Sequence, residues 1–236
     1  MKGKVGIFDS GIGGLTTYKE IKKLLPNENY IYYADTKNNP YGSKTQDELK
    51  QITKNIVNKL ITKGAKIIVI ACNTATTNCI EYLRKEFPNT IFIGTEPAIK
   101  VACDNNFKNI LVLATPTTIN SERTNELVIT NKKEYENFYL VPCNGLANAI
   151  EINDQEKIDK LLNEILTPYQ NKNIDAIVLG CTHYPLIKNK IQNYFKNAKL
   201  IDGNKGVAKR VQHQLSVNNL LDNNTNPKTE FIQTKK

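Results

Sequence analysis

The sequence predicts an α/β fold made of two pseudo-symmetric domains, each a mainly parallel sheet flanked by helices. Three observations point there. Short apolar runs alternate with segments whose apolar residues recur every three or four positions. Two of those runs, Lys66 to Ala71 and Asp175 to Leu179, are apolar almost without interruption, as parallel strands covered on both faces require. The strand and helix alternation then restarts after Glu96-Pro97-Ala98.

In chain order, Lys4 to Phe8 reads as the first strand. Gly14 to Leu25 follows as a helix with Leu15, Tyr18, Ile21 and Leu24/Leu25 on one face, stopped by Pro26, which cannot donate a helical hydrogen bond. Tyr30 to Ala34 is a second strand. Asp47 to Lys63 is a helix turning Leu49, Ile52, Ile56 and Leu60 inward, with Gly64 as its cap. The buried run Lys66 to Ala71 leads into a helix over 74–86, and Ile91 to Ile93 is a short strand. In the second half, Asn109 to Ala114 is a strand, 116–128 a helix and Tyr135 to Val141 a strand. A helix over Asp154 to Leu166 carries Ile158, Leu161, Leu162 and Ile165, and the buried strand Asp175 to Leu179 follows.

The offset from Cys72 to Cys181 nearly equals that from the strand end at Ser10 to the one at Thr115, which reads as a duplicated unit rather than a short-period solenoid. Leu200 to Asp202 and a helix over Val207 to Leu215 form the expected return to the first half. The expected domains are therefore 1–95 with 207–236, and 96–206, with an Asn/Asp-rich polar loop at 218–226.

Composition narrows the function. With 236 residues and 40% hydrophobic content, the chain can bury one large or two small cores. A net charge of +9 invites a nucleic-acid reading. The lysines, however, are scattered among asparagines on polar helix faces, with no RNP, zinc-finger or arginine-rich motif, so a solvated surface is the better reading and nucleic-acid binding is not expected. Five cysteines form no dense framework, and Cys72 to Cys79 is too wide for a zinc knuckle, so reduced thiols and no metal are expected. Met1-Lys2-Gly3-Lys4 runs directly into a strand, which leaves no room for a signal peptide or membrane span and predicts a soluble, cytoplasmic protein without a membrane partner.

Ligands of parallel sheets bind beyond the carboxyl ends of the strands. The polar clusters all fall at those ends: Asp9-Ser10, Asp35 with Pro40-Tyr41-Gly42, Cys72-Asn73-Thr74 and Cys181-Thr182-His183. One cysteine after an apolar run is most often a packing residue. Two in the same local context point to paired thiols and two-sided acid/base chemistry, with helix starts that favour thiolate and bind carboxylate. Cys79, Cys103 and Cys143 lack that context and read as packing residues. His183, two residues after Cys181, is a candidate modulator of that thiol, whereas His213 reads as an ordinary helix residue. The cluster Gly11-Ile12-Gly13-Gly14 tempts a dinucleotide reading, but the G-x-G-x-x-G fingerprint requires glycine where the chain has Thr16. No lysine lies in the strand-end clusters to suggest pyridoxal phosphate.

Together, Asp9-Ser10-Gly11-Ile12-Gly13-Gly14-Leu15, the Asp35 to Gly42 stretch ending Pro40-Tyr41-Gly42, Ala71-Cys72-Asn73-Thr74-Ala75-Thr76 and Gly180-Cys181-Thr182-His183-Tyr184-Pro185 resemble the glutamate racemase family over roughly residues 5–215. The resemblance implies a cytoplasmic, homodimeric isomerase with no cofactor. It would interconvert L- and D-glutamate for peptidoglycan synthesis in a cleft between the two domains. It carries Cys72 and Cys181 over as bases on opposite faces of the α-carbon, with Asp9 and His183 as auxiliary acid/base groups. Ser10, Pro40, Tyr41, Gly42, Asn73, Thr74 and Thr182 become substrate contacts, and Thr115 and Thr118 resemble threonines placed near the substrate side chain. Glu151 follows Cys143 as a family glutamate near the active site does, although Asn144-Gly145-Leu146-Ala147-Asn148 departs from the family's more hydrophobic stretch. Aspartate and hydantoin racemases share paired cysteines; Asp9-Ser10-Gly11 and Pro40-Tyr41-Gly42 favour glutamate. A nucleotide-binding α/β protein is the alternative from another class.

Overall fold

Residues 3–235 are described by a computed structural model, and the expected entry at Met1 and Lys2 lies outside them. Two compact units emerge: residues up to Thr95 together with those from Asn204 onward, and Glu96–Gly203.

The first unit contains β1 (Lys4–Asp9), α1 (Leu15–Leu24), β2 (Tyr30–Ala34), α2 (Gln46–Thr62), β3 (Ala65–Ile70), α3 (Asn73–Glu86) and β4 (Phe92–Gly94). The second contains α4 (Ile99–Asp104), β5 (Asn109–Ala114), α5 (Pro116–Ile119), α6 (Glu122–Asn131) and β6 (Asn137–Pro142). It continues through α7 (Leu146–Glu151), α8 (Gln155–Leu166), β7 (Ala176–Leu179), α9 (Lys188–Tyr194) and β8 (Lys199–Ile201). The chain then returns to the first unit as α10 (Asn204–Val217) and β9 (Thr229–Gln233). The sheets run β4-β3-β1-β2-β9 and β6-β5-β7-β8, and every pairing is parallel.

The continuous apolar runs have a direct cause. Successive strand residues face opposite ways. Val5, Ile7, Ile67 and Val69 pack with Tyr18, Ile21, Val207, Val211 and Leu215 of α1 and α10. Phe8, Ile31, Ile68 and Ile70 pack on the other side with Leu49, Ile56, Leu60, Cys79 and Leu83 of α2 and α3. The second unit repeats this, with Leu111, Leu113 and Ile177 against α7, α8 and α9, and Ile110, Val112 and Val178 against α4 and its neighbours. Covering both faces forbids polar alternation.

The helix expected over 116–128 is two helices. Thr115 caps the first, its side chain accepting from the Thr118 N–H, and Ser121 caps the second by accepting from the Thr124 N–H. Two cap signals lie inside one apolar period, and the local hydrogen bonds win. The start of α2 is earlier than expected, because Thr45 and Glu48 close a capping box. The polar loop after α10 is pinned at its base. A buried ion pair joins Lys66 to Glu28 at 2.6 Å; the same glutamate accepts from the Asp222 N–H at 2.8 Å, and Asn29 Oδ1 from the Lys228 N–H at 2.8 Å. β9 is thereby delivered alongside β2. No helix among the described residues is long and apolar enough to cross a membrane.

Candidate active site

In the first unit, β1 ends at Asp9, which is fully buried. Its Oδ2 accepts from the Gly11 N–H at 3.1 Å and the Gly14 N–H at 3.0 Å. The Tyr32 hydroxyl donates to the Gly11 carbonyl at 2.9 Å and steadies the loop. Glycine is required at 14, since a Cβ there would lie 2.6 Å from Asp9 Cβ and 2.9 Å from the Tyr32 hydroxyl. The glycine loop therefore cradles a carboxylate of its own chain. Two of the N–H groups that a bound phosphate would need already donate to Asp9, which removes the physical basis for the dinucleotide reading.

Cys72 follows β3 and occupies the N-cap position of α3 in extended backbone. Asn73 and Thr74 form the first turn of that helix, both buried, and Asn73 Oδ1 makes no hydrogen bond within the protein. A buried amide oxygen left open costs stability unless a ligand meets it. Beyond β2, Tyr41 opens a 3₁₀ turn over Tyr41–Ser43, and its hydroxyl donates to Asp35 Oδ2 at 2.7 Å. Burial, and then the Asp35 carboxylate, push the Tyr41 phenol well above its ordinary range; Cys72 and Asp9 are near enough to add to the effect. Ser10 is tied in through its carbonyl, which accepts from the Asn39 amide at 3.1 Å.

In the second unit, Cys181 lies just beyond β7. Its Sγ is 3.7 Å from His183 Nδ1, and His183 Nε2 is 2.7 Å from Glu151 Oε2, at the end of α7. A carboxylate can only accept, so Nε2 carries the proton. Nδ1 is then the acceptor facing a thiol, or the donor facing a thiolate when the imidazole is charged. Thiol, imidazole and carboxylate thus stand in one line of contacts. Gly180 lets the chain pass, because a Cβ there would meet the Leu113 carbonyl at 2.9 Å. At the end of β5, the Thr115 and Thr118 hydroxyls are 3.0 Å apart. Thr182 is buried beside Cys181.

The first unit therefore gathers Asp9, Ser10, Pro40, Tyr41, Gly42, Cys72, Asn73 and Thr74 at the carboxyl ends of β1, β2 and β3. The second gathers Thr115, Thr118, Glu151, Cys181, Thr182 and His183 at those of β5 and β7. The other three cysteines differ in kind. Burial pushes the Cys79 thiol up to about 11 and the Cys143 thiol up to about 12, and burial with Glu136 takes Cys103 to about 12. All three remain neutral packing groups near neutral pH. Sequence reasoning placed Asp35 in a polar strand-end cluster and in the stretch to Gly42 that carries the resemblance, without a role; the structure makes it the partner of Tyr41, Asn38 and Thr234. Its signal was an aspartate directly after an apolar strand, as with Asp9. No group of three or more His, Cys, Asp or Glu placed to hold a metal ion occurs among the described residues.

Comparison with known proteins places these motifs. A family profile described as Asp/Glu/Hydantoin racemase matches residues 6–211. A glutamate racemase of Clostridium botulinum is 43% identical over 224 residues, covering 92% of this chain and 86% of that protein. Among solved structures, the glutamate racemase from Francisella tularensis in complex with D-glutamate superposes with a TM-score of 0.85 at 31% identity, covering 100% of this chain and 90% of that one. A glutamate racemase isoform from Bacillus anthracis gives a TM-score of 0.87 at 28% identity, covering 99% and 89%.

Proposed function

The chain belongs to the Asp/Glu/Hydantoin racemase family, and from that premise we propose that it interconverts L- and D-glutamate, with Cys72 and Cys181 as the two bases. One observation carries the reading. The same arrangement stands twice, a buried cysteine just beyond an interior parallel strand, with an acid/base group of the same unit held by hydrogen bonds: Asp9 on Gly11 and Gly14, His183 on Glu151.

Inversion at carbon requires a proton to leave one face and another to arrive at the opposite face. A thiolate removes the α-proton of one enantiomer and becomes a thiol, while the other thiol delivers its proton and becomes a thiolate. The reverse reaction exchanges the two roles. The balance closes on two sulfurs and two protons, so the proposal assigns neither metal nor organic cofactor. The α-proton is only weakly acidic, and the developing carbanion needs fixed hydrogen-bond donors. Asn73, Thr74 and Thr182, with the start of α3, bind the α-carboxylate. Ser10 and the Pro40-Tyr41-Gly42 turn complete the substrate contacts, and the Thr115 and Thr118 hydroxyls bind the side-chain carboxylate. His183 takes and returns the Cys181 proton, and Glu151 stabilises the imidazolium that forms. Asp9 serves the ammonium group or Cys72. The proposed setting is a cytoplasmic homodimer supplying D-glutamate for peptidoglycan, with no nucleic-acid partner.

Circular dichroism of L-glutamate and of D-glutamate incubated with the purified protein tests this. Both solutions are expected to decay to zero ellipticity, and a Cys72→Ala variant to leave both unchanged. A wild-type protein that alters neither solution defeats the proposal.

A further inference from the structure

β2 stops at Ala34, and the buried carboxylate of Asp35 follows it. That carboxylate gathers side chains from three parts of the first unit. The Tyr41 hydroxyl donates to Oδ2 at 2.7 Å, the Asn38 amide to Oδ1 and Oδ2 at 3.1 and 2.8 Å, and the Thr234 hydroxyl to Oδ1 at 3.0 Å. A buried carboxylate is very costly unless its lone pairs are met, and here both oxygens are. Thr234 is itself fixed. Its N–H donates to the Ala34 carbonyl at 3.0 Å, and its Oγ1 accepts from the Lys37 N–H at 2.9 Å. The Thr36 hydroxyl donates to its carbonyl. The end of β9 thus grips the loop that carries the Pro40-Tyr41-Gly42 turn.

The Tyr41 hydroxyl is committed to the protein. It fixes the ring and, through the ring, the backbone on either side. The turn's own local bonds are weaker anchors: Ser43 Oγ to the Pro40 carbonyl at 3.1 Å is exposed, and the Lys44 N–H to the Tyr41 carbonyl is 3.2 Å. Water competes for such bonds, whereas a buried bond to a carboxylate is roughly twice as strong as a neutral one. The Asp35 contact is therefore the charge-assisted anchor of the turn, beside the Asn39 amide bond to the Ser10 carbonyl at 3.1 Å. We propose that Asp35 is the positioning residue of the Pro40-Tyr41-Gly42 turn and that Thr234, directly after the C-terminal strand, is the second anchor of the same carboxylate, so that the end of β9 sets the affinity for glutamate. The inference rests on the reading that this turn contacts glutamate.

Steady-state racemisation of L- and D-glutamate by the full chain tests it, with Tyr41→Phe, Thr234→Val and Thr234→Ser variants. Tyr41→Phe is expected to raise KM for both enantiomers about 10-fold and Thr234→Val about 3-fold, with kcat within about 2-fold, as loss of a bond to a buried charge predicts. Thr234→Ser, which keeps the hydroxyl, is expected to restore the wild-type KM. Thr234 is half-buried just beyond an edge strand, so its valine variant is expected to keep the fold, which far-UV circular dichroism checks, even where a change at the buried Asp35 does not. An active wild type whose KM is unmoved by both Tyr41→Phe and Thr234→Val overturns this inference alone, as does a serine variant that fails to recover. A wild type inactive on glutamate overturns the functional reading as well.

Discussion

Cys72 and Cys181 stand out at the level of single residues because each ends a run whose composition dictates a buried strand, and a polar triplet follows. If each thiol serves one face of the α-carbon, removing one leaves a base that can still exchange the α-proton of a single enantiomer. In D₂O, Cys72→Ser and Cys181→Ser are therefore expected to show opposite preferences: one loses the α-proton signal of L-glutamate faster, the other that of D-glutamate, as followed by proton NMR. Equal exchange of both enantiomers by both variants would rule out the two-base scheme. These thiols were legible because their signal is local. Glu151 was reachable only by resemblance, since α7 has 6 residues and too little periodicity to announce itself. The grip of Thr234 on Asp35 was out of reach, as 199 residues separate them and only the pairing of β9 with β2 brings them together.

Elements were read well where a single rule governs a segment and poorly where two rules compete. Strands β3 and β7 and helices α2 and α8 follow from uninterrupted runs or sustained periodicity. The segment 116–128 carries both an apolar period and two cap sequences, Thr115-Pro116 and Ser121, and the caps divide it. Ser121 is buried; its side chain accepts from the Thr124 N–H at 3.2 Å and donates to the Thr118 carbonyl at 2.8 Å. Ser121→Ala leaves the Thr124 N–H, in the first turn of α6, without its cap. It is expected to lower stability by about 1 kcal/mol, read from urea unfolding, with the slope of the transition unchanged. A variant as stable as the wild type would mean that the break between α5 and α6 is set by packing of Ile119 and Leu127 instead. The short helices α4, α7 and α9 escaped notice for a different reason, because fewer than two turns give no period to detect.

Across the whole molecule, two sheets covered on both faces leave several acidic groups sealed away from water, and this makes stability depend on pH in one direction. Burial raises Cys79 from 9.0 to about 11 and Cys143 from 9.0 to about 12. It also pushes the phenols of Tyr30, Tyr41 and Tyr184 above their ordinary range. Each group is neutral in the fold at a pH where the unfolded chain has already lost the proton. Above about pH 9 the native state therefore binds more protons than the unfolded state, so the slope of unfolding free energy with pH is negative. The contribution is fully present below the unfolded thiol value and disappears as pH climbs through the folded one. The melting temperature is expected to hold steady from pH 7 to about 8.5 and then to fall steeply toward pH 11. Carboxylates lowered by surface bonds, such as Glu230 between Lys63 and Lys4, titrate far below this window and leave it untouched. A Cys79→Ala, Cys143→Ala double variant should start from a lower melting temperature, because two buried side chains are trimmed, yet decline less steeply between pH 9 and 11. Calorimetric scans at fixed ionic strength measure both slopes, and parallel declines for the two proteins would assign the alkaline loss to Cys103 and the tyrosines rather than to Cys79 and Cys143.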